Sequence, residues 1–136
     1  MKIKPKKIDM SKPGNGLWTQ WFGNGQKKSE GEFKNGVKHG PWKTWYDNGL
    51  QRGEGNFTAG QQNGKWTFYW ENGQKRSEGR YKAGQQDGRW KFWEKSGRRT
   101  PRDFVFKGGE VIKEIKTHQT PDTAVVPPTP AGSASS

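Results

Sequence analysis

At 136 residues the chain has the length of one domain, and 25 Lys+Arg against 13 Asp+Glu give it a formal charge of +12. The absence of cysteine excludes disulfides and thiolate metal sites. No run approaches 18 consecutive apolar residues, which excludes a helical membrane span. Ile, Leu, Val and Phe make up only 18 residues, a share that at this charge points to disorder, yet all 18 aromatics lie between Trp18 and Phe106. Clustered Trp and Phe bury large area per residue, so an ordered, aromatic-cored segment is expected there.

Residues 1–13, within "MKIKPKKIDMSKPGNG", carry +4 and are followed by no apolar stretch. They read as a basic arm, disordered or loosely docked, rather than a secretory signal.

From residue 14 the chain repeats. Trp18, Trp42, Trp66 and Trp90 are 24 residues apart, and so are Gly16, Gly40, Gly64 and Gly88. Three full units share G-x-W-x-x-[WY]-[FYW]-x-N-G-[QL]-x-[KR]-[SG]-E-G-x-[FY]-x-x-G. The fourth, from Gly88, loses Asn-Gly and Ser-Glu-Gly.

Each unit reads as two strands. "LWTQWF", "PWKTWY", "KWTFYW" and "RWKFWE" have strand composition. Asn24-Gly25, Asn48-Gly49 and Asn72-Gly73 read as type I′ turns with positive φ at both residues. "KKSEGEF", "QRGEGNF" and "KRSEGRY" return. The expected fold is all-β, an antiparallel hairpin meander growing by one hairpin per 24-residue repeat, with almost no helix. Gly31, Gly55 and Gly79 fall between successive aromatics, so each Trp ring can lie over a strand that has no side chain there. Trp18, Trp42, Trp66 and Trp90 with these glycines are the expected structural device, which one repeat cannot complete alone.

"TPRDFVFKGGEVIKEIK", Thr100 to Lys116, alternates like a capping hairpin turning at Gly108-Gly109. The repeat domain is thus expected over 14–116. Residues 117–136, rich in Pro, Ser, Thr and Ala, read as a disordered tail.

"SEGEFKNGVKHGPWKTWYDNG", "GEGNFTAGQQNGKWTFYWENG" and "SEGRYKAGQQDGRWKFWEKSG" resemble MORN repeats. Trp42, Trp66 and Trp90 replace the second Gly of the usual G-x-G, which is closer to the variant MORN repeat of bacterial proteins labelled YwqK-type antitoxins. The resemblance spans about residues 14–108. It implies a curved single-layer sheet and a binding or scaffolding role, with some members associated with membranes and acidic lipids.

The residues argue against catalysis. His39, in a repeat turn, and His118, at the start of the tail, have no convergent partners. Glu30, Glu54 and Glu78 form a line rather than a cleft, with Lys28, Arg52 and Arg76 two positions earlier on the same face for cross-strand pairing. The Gly-Asn-Gly pieces precede no helix, so they are not phosphate loops. No metal site or cofactor is expected.

The basic excess is spread as +4, +6, +3 and −1 over residues 1–13, 14–97, 98–116 and the tail. It reads either as solubilising charge or as attraction to an acidic partner. Trp21, Trp45, Tyr69 and Trp93 form a second aromatic column on the opposite face, a candidate binding stripe together with Lys28, Arg52, Arg76, Lys43 and Lys91. The expected function is a cytoplasmic, non-enzymatic scaffold for a protein partner, antitoxin-like. The alternatives are a membrane-peripheral binder of anionic lipid, or a binder of single-stranded nucleic acid. A choline-type cell-wall module ranks last, since a positive surface repels choline.

Overall fold

The computed structural model describes residues 14–117. The basic arm and the tail beyond Thr117 lie outside the described residues. Nine strands follow one another: β1 (Gly16–Trp21), β2 (Lys27–Lys34), β3 (Val37–Trp45), β4 (Gln51–Thr58), β5 (Gln61–Tyr69), β6 (Lys75–Lys82), β7 (Gln85–Phe92), β8 (Arg102–Lys107) and β9 (Glu110–Lys116). They form one open sheet in chain order, every neighbour antiparallel. No described residue is helical.

Two kinds of hairpin alternate. After β2, β4 and β6 the loops are two residues long, Asn35-Gly36, Ala59-Gly60 and Ala83-Gly84. Both residues of each have positive φ, 52° and 81° in the first. These are the type I′ turns, whose twist matches the flanking strands.

The Asn-Gly dipeptides expected to make them do something else. In Phe22–Gln26, Gly25 N–H donates to the Phe22 carbonyl and Phe22 N–H to the Gln26 carbonyl, and of Asn24-Gly25 only the glycine has positive φ. This is a type I turn closed by a left-handed glycine. The asparagine keeps ordinary φ because both ends of its amide are engaged. Asn24 Oδ1 accepts from Gln26 N–H at 2.9 Å, and Nδ2 donates at 2.7 Å to the Asp47 carbonyl, one repeat on. Asn48 and Asn72 do the same toward Glu71 and Lys95. Ser96 takes this position in the fourth repeat, where its Oγ only accepts from Arg98 N–H within its own turn.

The sheet's two faces differ. On one, Trp42, Trp66 and Trp90 are buried among Trp18, Phe33, Phe57, Phe68, Tyr81, Phe92 and Phe106. Each of the three indoles leans back onto β2, β4 or β6. A Cβ on Gly31, Gly55 or Gly79 would stand 2.1–2.2 Å from the ring. The ladder slips beside these glycines, as where Gly31 pairs with Trp42 but Glu32 with His39. The indole N–H groups of Trp42, Trp66 and Trp90 fill these irregularities by donating to the Glu32, Asn56 and Arg80 carbonyls at 3.1, 2.9 and 3.0 Å. Each such Trp buries about 200 Å², about 5 kcal/mol as an upper figure.

On the other face one row crosses the sheet in register: Thr19, Glu30, Lys43, Glu54, Thr67, Glu78 and Lys91. Beyond it, Asp103 is fully buried and takes Arg89 and Arg99, the latter through both carboxylate oxygens at 2.6 and 2.8 Å. The hairpin of β8 and β9 turns at Gly108-Gly109.

Candidate functional site

The predicted column Trp21, Trp45, Tyr69 and Trp93 lies on the glutamate face. Trp18 pairs with Gly31 and Trp21 with Lys27, placing the two aromatics on opposite sides of β1. Trp21 is 56% exposed and the other three are half-buried. Cations interleave the column. Lys27 lies 5.7 Å from the Trp45 ring, Lys75 5.0 Å and Arg99 5.2 Å from that of Trp93. Such contacts contribute about 0.5–1 kcal/mol at exposed sites. The Tyr69 hydroxyl donates to Glu54 at 3.3 Å, and burial with that carboxylate pushes its pKa up.

The basic residues divide between the faces. Lys43 and Lys91 stand in the glutamate row, opposite Glu30 and Glu78. Lys28, Arg52 and Arg76 do not share that face, contrary to the simple two-residue alternation. The ladder passes from Ser29 to Lys27, so Lys28 is skipped, and Arg52 and Arg76 are skipped likewise. A bulge residue reverses the facing of everything before it. Lys28, Arg52 and Arg76 therefore sit over Phe22, Tyr46 and Trp70, at 5.7, 5.9 and 4.6 Å.

The glutamates find other lysines. Lys27 reaches Glu30 at 3.0 Å, and Lys75 and Lys65 reach Glu78 at 2.8 and 2.9 Å. The Lys27 and Thr19 hydrogen bonds hold Glu30 below the usual carboxylate pKa. Burial pushes Glu78 up, but its two lysines outweigh this and hold it low as well. These are charge-pairing groups in a row, and the two concavities along it are small and open, about 350 Å³ beside Lys43, Glu54 and Thr67 and about 240 Å³ beside Glu78, Arg89 and Lys91. His39 lies in β3 opposite Glu32, rather than in a turn, and is exposed. His118 lies outside the described residues.

Among the described residues a larger concave feature lies on the tryptophan face, in the C-terminal half. It is an open groove of about 700 Å³ running from Tyr46 to Phe104. Phe68, Tyr81, Trp90, Phe92 and Phe104 contribute the apolar surface, and Arg52, Arg76 and Arg102 contribute cations. Phe68 stacks between Trp66 and Trp90, at 5.8 and 6.4 Å with interplanar angles of 22° and 21°. Phe92 meets Phe104 edge to face at 5.7 Å. The walls are tied across repeats, Tyr46 O–H donating to the Tyr69 carbonyl at 2.7 Å and the Trp70 indole N–H to that of Trp93 at 3.0 Å. Tyr81 is half-buried, and burial pushes its pKa up.

Of the predicted binding residues, Arg52 and Arg76 contribute to this lining, and so does the structural Trp90; Tyr69 and Trp93, whose rings stand on the other face, border it where their carbonyls accept from Tyr46 and Trp70. Trp21, Trp45, Lys28, Lys43 and Lys91 do not. Phe68, Phe92 and Phe104 were not singled out from the sequence. For Phe68 and Phe92 the signal is the position two residues after each Trp, which runs Gln20, Thr44, Phe68, Phe92 and turns from polar to aromatic halfway along the array. In the N-terminal half the corresponding rings are topped by Lys38, 4.8 Å from Trp42 and 5.0 Å from Phe57.

The family model described as the MORN repeat variant matches residues 15–35, 38–52 and 62–83. MORN repeats are therefore present, and the matched segments fall within the first three units. No curated protein shows a significant match to the chain.

Proposed function

We propose that the chain is a non-enzymatic repeat scaffold that binds a protein partner in the aromatic groove of its C-terminal half. The observation that carries this reading is the groove itself: a large apolar concavity with three arginines at one place in an otherwise regular array. Apolar concavities with a few polar groups are the usual form of binding sites, and aromatics with Arg dominate protein contacts. The repeats serve as a rigid frame, since each inner strand is held by both neighbours and each Asn-Gly turn by the next turn. An antitoxin-like role is one form of this function, the bound partner being the toxin. A cytoplasmic location is part of the same reading.

The test uses immobilised full-length chain, nuclease-treated native lysate and two groove variants, Phe68→Thr and Arg76→Glu. Phe68→Thr installs the residue that repeat two carries at this place, so it suits the local strand. One stoichiometric protein that survives raised salt and is lost from both variants supports the reading. Recovery of only nucleic acid or acidic lipid, removed by salt as electrostatic binding requires, overturns it in favour of a basic aromatic surface.

A further inference from the structure

We propose that the groove is a seat for an extended proline-rich segment, and that its resident occupant is this chain's own Pro121–Pro130. This rests on reading the groove as a binding site, and three observations point to the occupant.

The first is where the chain leaves the described structure. Thr117 N–H donates to the Pro101 carbonyl at 3.0 Å, and Thr117 Oγ1 donates to the Thr100 carbonyl at 2.9 Å. Thr100 and Pro101 line one end of the groove. Thr117, the last described residue, therefore stands at the rim.

The second is length. The groove spans β3 to β8, five strand spacings or about 24 Å. Ten residues in polyproline II extend about 31 Å, and the three residues 118–120 bridge at most about 10 Å. The segment covers the groove with little slack.

The third is chemistry. "PDTAVVPPTP" supplies four prolines and two valines for a floor of Phe68, Tyr81, Phe92 and Phe104. Aromatic-lined grooves suit proline-rich chains because the ring is apolar and the conformation is already fixed. Asp122 is the segment's one carboxylate, it holds no Lys or Arg, and the rim carries Arg52, Arg76 and Arg102. Tethering raises the effective concentration to about millimolar, so even a weak contact is populated. A partner would then have to displace the segment, and would itself present extended, proline-rich chain.

The experiment exploits the absence of cysteine. Ser133→Cys gives the full chain a single attachment point for a nitroxide, read on the indole N–H signals of the eight tryptophans. The segment carries residue 133 to the far, Tyr46 end of the groove, so the expected result is strong attenuation of Trp42 and Trp45 with Trp90 and Trp93 at the near end retained, and recovery of Trp42 and Trp45 in a Pro127→Ser, Pro128→Ser, Asp122→Lys variant. The variant leaves the sequence of all nine strands unchanged, and far-ultraviolet circular dichroism identical to the parent's checks that the sheet still folds. Uniform or absent attenuation overturns the proposal, as does attenuation that the triple variant leaves unchanged. Attenuation that appears on an isotope-labelled, spin-free chain mixed with spin-labelled chain also overturns it, and assigns the groove to a second copy. If the segment is absent from the groove while partner capture still depends on Phe68 and Arg76, this inference falls and the scaffold reading stands.

Discussion

Replacing Gly55 by alanine tests the device that holds the sheet together. The added methyl would stand 2.1 Å from Cδ2 of Trp66, and ordinary contact begins at 3.4 Å, so the ring must retreat about 1.3 Å. It cannot slide within the plane. Its N–H is bonded to the Asn56 carbonyl at 2.9 Å, Phe57 and Tyr81 meet it edge to face at 5.3 and 6.1 Å, and Phe68 stacks on it at 5.8 Å. Lifting the ring loses that hydrogen bond, about 1 kcal/mol, and overpacking adds about 1–3 kcal/mol. Alanine's lower unfolded-state entropy returns about 0.5–1 kcal/mol. The expected net loss is about 2 kcal/mol, a large share of the roughly 5–15 kcal/mol of a small domain. Urea unfolding followed by circular dichroism measures it. Gly23→Ala, with open space around it and no positive φ, is the control and should fall within about 0.5 kcal/mol of the parent. In a Trp66→Ala background Gly55→Ala should cost almost nothing, because the ring it strikes is gone. A loss below about 1 kcal/mol, or additivity in that cycle, refutes the ring-on-glycine account.

Ala59 and Ala83 hold φ of 52° and 50°, a region that disfavours L side chains. Ala59→Gly and Ala83→Gly should each raise stability by about 0.5–1 kcal/mol, seen as additive increases in Tm. Asn48→Ala removes both the bond to Leu50 N–H and the link to the next repeat, and should cost about 1 kcal/mol in urea unfolding. Ser96→Ala, with one weak bond inside its own turn, should cost less than half of that. Lys75 and Lys65 hold Glu78 below its ordinary pKa, so at mildly acidic pH the unfolded chain takes up its proton before the folded one. The stability from Glu78 is therefore present above about pH 4.5 and lost as pH falls through the lower folded value. Glu78→Gln should flatten that decline in acid titrations monitored by unfolding midpoint, and an unchanged slope would remove the ion-pair explanation.

The strand count and order were legible because a fixed 24-residue step leaves one antiparallel continuation per unit. Turn types were less legible, for a particular reason. Asn-Gly suits a type I′ turn by local conformation alone, but Asn24 Nδ2 binds the Asp47 carbonyl, a partner 23 residues away. That tertiary bond selects the other turn, and Ala59-Gly60 and Ala83-Gly84 take the left-handed positions without an asparagine. The error then carried into the site. The ladder beside those loops skips Lys28, Arg52 and Arg76, so strict two-residue alternation assigned them to the glutamate face. One bulge in each of three repeats moved a predicted binding cation across the sheet.

The same logic explains why the groove lies at one end of a regular array. A repeat fixes what successive units have in common, namely the Trp, its glycine and the turn bonds. A site needs a difference. Here the difference is Gln20 and Thr44 against Phe68 and Phe92, where the array gains rings that stand above the common layer. The decay of the fourth unit follows from its position as well. With Ser96 in place of asparagine, and a buried Asp103 gathering Arg89 and Arg99, the last repeat closes on itself instead of offering its turn to a fifth. Phe104 then enters from β8 to complete the groove wall. The groove is thus set where the array ends, and a fifth repeat inserted after Phe92 would displace Phe104, Thr100 and Pro101 from it while leaving Trp42, Trp66 and their glycines untouched.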